Sequence, residues 1–227
     1  MLHDIKAVII DLDGTMLDTA PDFQCAINRM RAEFDLPPLD LDTIKNFVGK
    51  GTENLMRRVL AVNFDEAGVE RHFETALVSY QRHYLAINGD QASIYPGVLE
   101  GLQALRAKGL RLACVTNKPI AFARPLLQKK GLAAYFELLY GGDSLPRKKP
   151  DPYPLLKVCK DFGLRPPQAV AIGDSSNDAQ AARAAGCRVL NVPYGYNHGE
   201  SIQDADSDGI VSTLLDAAHF ISANPYA

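Results

Sequence analysis

The chain has 227 residues, 47% of them hydrophobic, enough for one sizeable core and a smaller second one. Its 24 basic and 27 acidic residues give a net charge of -3, without the basic excess that a nucleic-acid footprint needs. No apolar run reaches the roughly 20 residues that cross a bilayer, and the first residues carry no basic leader with a cleavage site, so a cytoplasmic protein with neither membrane nor nucleic-acid partner is expected.

The first apolar run, Ala7–Ile10, reads as a buried strand and ends abruptly in Asp11-Leu12-Asp13-Gly14-Thr15. From Leu17 to about Asn88 there is no convincing strand. Three helical stripes stand there instead: Phe23, Ile27, Met30 and Phe34; then Leu55, Val59 and Val62; then a long one from Val69 through Phe73, Ala76, Leu77, Tyr80 and Tyr84 to Ile87. Pro37-Pro38, Gly49, Gly51 and Gly68 punctuate them, and Asn88–Gly97, with two glycines and a proline, suits a linker. Strand and helix patterns then alternate. Helices are expected over Gly97–Lys108, Ile120–Lys130, Tyr153–Phe162 and Asn177–Ala185. Strands are expected over Leu110–Val115, Leu138–Tyr140, Ala169–Ile172 and Val189–Val192, with a weaker one at Gly209–Val211. This alternation predicts an α/β fold, a Rossmann-like parallel sheet with helices on both faces. The continuously apolar strands fit, because central parallel strands are buried twice. Two units follow: an α/β catalytic core from 1–17 and 89–227, and an all-helical insertion over 18–88. Cys25, Cys114, Cys159 and Cys187 show no CxxC spacing and read as core residues in a reducing compartment.

Ligands of open α/β sheets bind beyond the carboxyl ends of the strands. Four strand ends are polar here: Asp11 to Thr15; Thr116-Asn117-Lys118; Gly141-Gly142-Asp143, followed by Arg147-Lys148-Lys149-Pro150; and Gly173-Asp174-Ser175-Ser176-Asn177-Asp178. Asp11 and Asp13 lie two apart on extended backbone, so their side chains point the same way. Asp174 and Asp178 lie four apart at a strand-to-helix turn, which brings them to one face of the first helical turn. Several carboxylates in one crevice repel each other, and a hard divalent cation such as Mg²⁺ relieves that. Thr116 and Lys149 suit a phosphate instead, which wants donors and positive charge. Taken singly, each motif has an ordinary explanation as turn, strand end, solvated cations or helix cap. Their succession, each after an apolar run, argues for a site.

DxDGT, a strand-end Thr, a Lys before Pro and GDxxxD, in this order, resemble the haloacid dehalogenase superfamily. The helical insertion resembles that superfamily's small cap domain. Within it, "GKGTENLMRRVL", "GGDSLPRKKPDP" and "PYGYNHGE" are similar to bacterial phosphoglycolate phosphatases. The resemblance implies an Mg²⁺-dependent phosphomonoesterase acting through a phosphoaspartate. Asp11 would be the nucleophile and Asp13 the acid and base. The metal would sit on Asp11, the Asp13 backbone carbonyl and Asp174, with Asp178 behind it orienting a water or Lys149. Thr116, the Asn117 N–H and Lys149 would hold the phosphoryl group, Lys149 being preferred to Lys148 because it directly precedes Pro150.

Asp13 argues against dehalogenation, and Thr52, where a Schiff-base lysine would stand, against phosphonate cleavage. In the cap, the loop Phe47–Thr52 opens a helix whose N-terminus attracts anions, and Lys50 and Arg57 are candidate substrate contacts or else ordinary surface cations. His72 and His83 read as structural, and His198 as a surface-loop residue, with the site rim or an interface as the alternative. Open alternatives are a phosphatase for a sugar phosphate such as N-acetylmuramic acid 6-phosphate, a phosphomutase, or a non-catalytic binding module on the same fold. The partner expected is a small phosphate ester, and the protein a monomer or homodimer.

Overall fold

The computed structural model describes residues 2–221; residues 1 and 222–227, the ends of the expected catalytic core, lie outside them. The strands in chain order are β1 (Ala7–Ile10), β2 (Leu17–Asp18), β3 (Ser93–Ile94), β4 (Arg111–Val115), β5 (Leu138–Tyr140), β6 (Ala169–Gly173), β7 (Arg188–Asn191) and β8 (Gly209–Ile210). The helices are α1 (Ala20–Ala32), α2 (Leu41–Phe47), α3 (Thr52–Ala61), α4 (Glu66–Ile87), α5 (Val98–Ala107), α6 (Ile120–Lys129), α7 (Tyr153–Phe162), α8 (Ser176–Ala185) and α9 (Leu214–Phe220).

Six strands form one parallel sheet in the order β5-β4-β1-β6-β7-β8. β1 is central, with Ile10 registered against Cys114 on one side and Ile172 on the other. The chain therefore runs outward from β1 in both directions, and its carboxyl end lies at the point where strand order reverses.

Alternate strand residues serve two cores. Val8, Ile10, Leu112, Cys114, Val170 and Ile172 pack against α5, α6 and α9. Ala7, Ile9, Ala113, Val115, Ala169 and Ala171 pack against α7 and α8. Several residues on this second face are alanines, and they meet Ala179, Ala182 and Ala185 of α8, so helix and sheet approach closely. Cys114, Cys159 and Cys187 are buried and Cys25 half-buried, all as free thiols.

The four helices α1 to α4 bury a third cluster along the expected stripes, including Phe23, Ile27, Met30, Leu55, Val59, Phe73, Tyr80 and Tyr84. Asp40 and Asp65 cap α2 and α4 by accepting from Thr43 N and Gly68 N. Arg31 is fully buried yet satisfied: it donates to the Pro37 and Val59 carbonyls and to Asn63 Oδ1, tying α1 to the end of α3. His72 packs against the Phe34 and Phe64 rings.

Two elements differ from expectation. Leu17–Asp18 and Ser93–Ile94, read as strand-free chain and as linker, pair as a two-residue antiparallel ribbon where the chain leaves and re-enters the α/β layer. Asp22, fully buried, accepts from Gly89 N and Gln91 N and fixes the same crossing. Runs of two residues carry no periodicity, so sequence pattern could not show them. Helix α9 is an element for which the sequence pattern predicts none. Its signal was the cap Thr213, which accepts from Asp216 N.

Candidate active site

Asp11 leaves β1 with its N–H still bonded to Ile172 O, so the nucleophile candidate stands on the rigid sheet edge. The chain then turns at once: Met16 N and Leu17 N both donate to Leu12 O. Gly14 has φ +83, and a Cβ there would overlap the Asp174 carboxylate. That contact brings motif one against the end of β6. Asp174 is held in place by Thr15 Oγ1 (2.8 Å) and Tyr196 N (2.7 Å).

Asp11, Asp174 and Asp178 each offer a carboxylate oxygen within 4.8 Å of the others. Asp178 lies close to the other two and, as expected, orients Lys149. Its Oδ2 caps α8 through Ser175 N and Oγ, while its Oδ1 accepts from Lys149 Nζ at 2.6 Å. Lys149 is buried; Nζ also donates to Val115 O and lies 2.9 Å from Asp11 Oδ1. That last approach is off the hydrogen-bond axis, leaving Asp11 Oδ1 buried without a directed donor among the described residues. Lys148, the neighbouring candidate, reaches instead toward Gly51.

The electrostatics follow from burial. Desolvation, only partly offset by Lys149 and reinforced by Asp178 and Asp174, pushes the Asp11 carboxyl up to about 8. Desolvation and Asp178 push Asp174 to about 6. Burial alone would lower the Lys149 ammonium, but Asp11 and Asp178 outweigh it and hold the proton on. Three crowded oxygen ligands, one with a buried oxygen lacking a directed donor, fit a hard divalent cation.

A pH effect is expected. The folded protein keeps these protons to about 6 and about 8, whereas an ordinary aspartate near 3.8 gives its proton up earlier. Without metal, the two carboxyls should therefore remove stability as pH rises from about 4 to about 8. A cation binds the deprotonated form, so its stabilisation should grow over the same window. Calorimetric Tm with EDTA and with excess divalent metal should differ more at about pH 8 than at about pH 5.5. Equal differences would mean that these carboxylates do not hold the cation.

Asp13 faces the other side of the crevice. Its Oδ1 accepts from Thr19 Oγ1 (2.7 Å) and Lys118 Nζ (3.1 Å). Thr116 and Asn117 line the same crevice, Asn117 Nδ2 donating to Lys149 O and to Gly49 O across the gap. The crevice is roofed by Phe23, Val48, Gly49, Gly51, Thr52, Leu55 and Tyr80 from the helical layer.

The structure thus brings Asp11, Asp13, Thr116, Asn117, Lys149, Asp174 and Asp178 to one edge of the sheet. It does not bring Lys50 or Arg57 there. Lys50 is exposed and does not line the crevice. Arg57 is turned from α3 across to α4, onto Glu70 and the Phe73 ring.

His198, expected on a surface loop, is half-buried and lines the crevice. Its Nδ1 lies 2.8 Å from Val48 O and its Nε2 3.0 Å from Asn177 Nδ2. The carbonyl only accepts, which assigns the proton to Nδ1 and leaves Nε2 to accept from Asn177. Burial and then Lys50 lower its pKa, favouring this neutral form.

Lys118 is the crevice residue that the strand-end motifs include without giving it a role. Lys118 stood within the strand-end motif, but nothing local marked it as buried.

Comparison with known proteins agrees with this geometry. The chain is 48% identical over 222 residues to a phosphoglycolate phosphatase of Thiobacillus denitrificans, covering 96% of each chain. It is 50% identical over 217 residues to one of Nitrosospira multiformis, again covering 96% of each. A crystal structure described as a predicted phosphoglycolate phosphatase from Haemophilus somnus superposes with TM-score 0.90 at 32% identity, over 97% of this chain and 99% of that one. The family model for haloacid dehalogenase-like hydrolases matches residues 8–192, a span that holds every residue of the acidic cluster and both strands beside β1, and the chain belongs to that family.

Proposed function

We propose that this protein hydrolyses 2-phosphoglycolate to glycolate and phosphate, with Mg²⁺ held by Asp11, the Asp13 carbonyl and Asp174, Asp178 orienting Lys149, and residues 18–88 acting as a cap over the site. The observation that carries the reaction type is the division of labour between two carboxylates two residues apart. Asp11 sits in the acidic cluster against Lys149, and Asp13 sits outside it, on the helical side of the crevice. The substrate reading is supported by relatives at 48% and 50% identity that are named for it.

Mg²⁺, when bound, supplies the positive charge that lets an anionic carboxylate meet an anionic phosphate. The chain's own residues do the rest. Lys149, fixed by Asp178 and Val115 O, presents a permanent cation beside Asp11. Asp11 attacks phosphorus; the new bond is Oδ–P, and the ester P–O bond breaks. Asp13 gives its proton to the departing alkoxide. Water then attacks the phosphoaspartate, Asp13 takes its proton, and phosphate leaves with Asp11 regenerated. Thr116 and Asn117 hold the phosphoryl oxygens, and the apolar roof of Phe23, Val48 and Leu55 keeps bulk water out.

The test is phosphate release from 2-phosphoglycolate, N-acetylmuramic acid 6-phosphate, hexose phosphates, nucleotides and pyrophosphate, with Mg²⁺ or with EDTA. The expected result is a kcat/KM for 2-phosphoglycolate at least about tenfold above the rest, equivalent to about 1.4 kcal/mol of transition-state preference, and abolished by EDTA. Preference for a larger sugar phosphate would keep the chemistry and overturn the substrate.

A further inference from the structure

The reaction above leaves one charged group of the crevice without work. Lys118 lies two residues beyond Thr116, its side chain only 2% exposed, and lines the crevice. Its Nζ lies 3.1 and 3.3 Å from the two Asp13 oxygens. It also sits over the rings of Phe23 (4.3 Å) and Tyr84 (4.6 Å). Asp13 is the hydrogen-bond acceptor it meets among the described residues. A buried ammonium is costly unless paired, and the aromatic faces strengthen any anion contact it makes by excluding water.

We propose that Lys118 is the specificity-determining residue that binds the substrate's carboxylate. This rests on the reading of 2-phosphoglycolate as substrate. In that molecule one methylene separates the ester oxygen from the carboxylate. The ester oxygen must reach Asp13 to receive its proton, so the carboxylate necessarily falls beside Asp13, where Nζ stands. An ammonium has three N–H donors, and with Asp13 as its acceptor among the described residues a donor remains for the substrate carboxylate. The other candidate cations among the described residues are placed differently: Lys149 is held by Asp11 and Asp178, Arg57 is engaged by Glu70, and Lys50 lies outside the crevice. An ester with a hydroxyl in place of the carboxylate would offer this buried ammonium a neutral partner in place of a charged one, and a site discriminates against the analogue that lacks the group it is built to bind.

The experiment compares 2-phosphoglycolate with 2-hydroxyethyl phosphate. The readout is the ratio of their kcat/KM values, because any effect of Lys118 on Asp13 is common to both substrates and cancels. In the Lys118→Met variant the ratio should fall about 30- to 100-fold, as expected for a lost charge-assisted hydrogen bond. Lys118→Arg, which keeps the charge, should retain most of it. A ratio preserved within about threefold in Lys118→Met, with both substrates slowed alike, would assign Lys118 to Asp13 alone and overturn the proposal. If the wild type shows no preference between the two esters, the substrate reading itself fails and the proposal with it, an outcome visible before any variant is made. Should Lys118→Met not fold, a crystal structure of the wild type with glycolate and vanadate decides. A glycolate carboxylate within hydrogen-bond distance of Nζ supports the proposal; one seated on the N-terminus of α3 or on His198 overturns it.

Discussion

Asp11→Asn is expected to lower phosphate release by about four orders of magnitude or more, while the protein still folds. The amide has nearly the shape of the carboxyl but cannot attack phosphorus. Four decades correspond to about 5.5 kcal/mol of lost transition-state stabilisation. The fold should tolerate the change because Asp11 is a strained charge. Burial and its acidic neighbours push its carboxyl up to about 8, so a neutral side chain suits the metal-free site. Lys149 keeps Asp178 and Val115 O as partners in the variant. Tm in EDTA should therefore stay close to wild type, or rise, whereas the Tm increase on adding Mg²⁺ should shrink. Turnover above about 1% of wild type would place the nucleophile elsewhere.

Lys149→Met is expected to damage both stability and rate. The ammonium is the cation closest to three carboxylates gathered within 4.8 Å, and it contacts two of them. Removing one partner of a buried ionic network typically costs about 3–5 kcal/mol, because the remaining charges are left uncompensated. For a chain of this size that is a Tm drop of roughly 6–20 °C. The rate should fall about 10²- to 10³-fold, as when one preorganised electrostatic group is lost from an active site. Mg²⁺ should recover part of the stability, since a divalent cation neutralises the same cluster, but little of the rate. Differential scanning calorimetry with and without metal separates the two effects. A Tm within about 2 °C of wild type in EDTA would show that the cluster does not depend on this lysine.

The electrostatics connect these two results. Asp11 and Lys149 are opposite members of one buried network, so their effects should not add. In the double variant the methionine faces an asparagine, one of its two carboxylates already gone. The stability loss should be smaller than that of Lys149→Met alone.

The strands, the order of the motifs and the residues at the strand ends were legible in the sequence. Ala7–Ile10, Leu138–Tyr140 and Tyr153–Phe162 occur with the expected boundaries. The reason is local. A short apolar run followed by polar residues marks a buried strand and its end, and a parallel sheet gathers such ends at one edge. Asp11, Asp13, Thr116, Lys149, Asp174 and Asp178 were therefore identifiable without a structure.

Only the tertiary structure decided what those side chains do to one another. Lys118 and Asp13 are 105 residues apart, Thr15 and Asp174 are 159 apart, and His198 and Val48 are 150 apart. A lysine after a strand carries no mark of whether it will be solvated or sealed against an aspartate. Periodicity reports which face of an element is buried, not which distant charge it meets there. For the same reason Lys50 and Arg57 looked suited to an anion while the helical layer turned them elsewhere. Charge partners and desolvation are properties of the packed chain, and it is these that separate Lys149 from Lys148 and set the Asp11 and Asp174 carboxyls above their ordinary range.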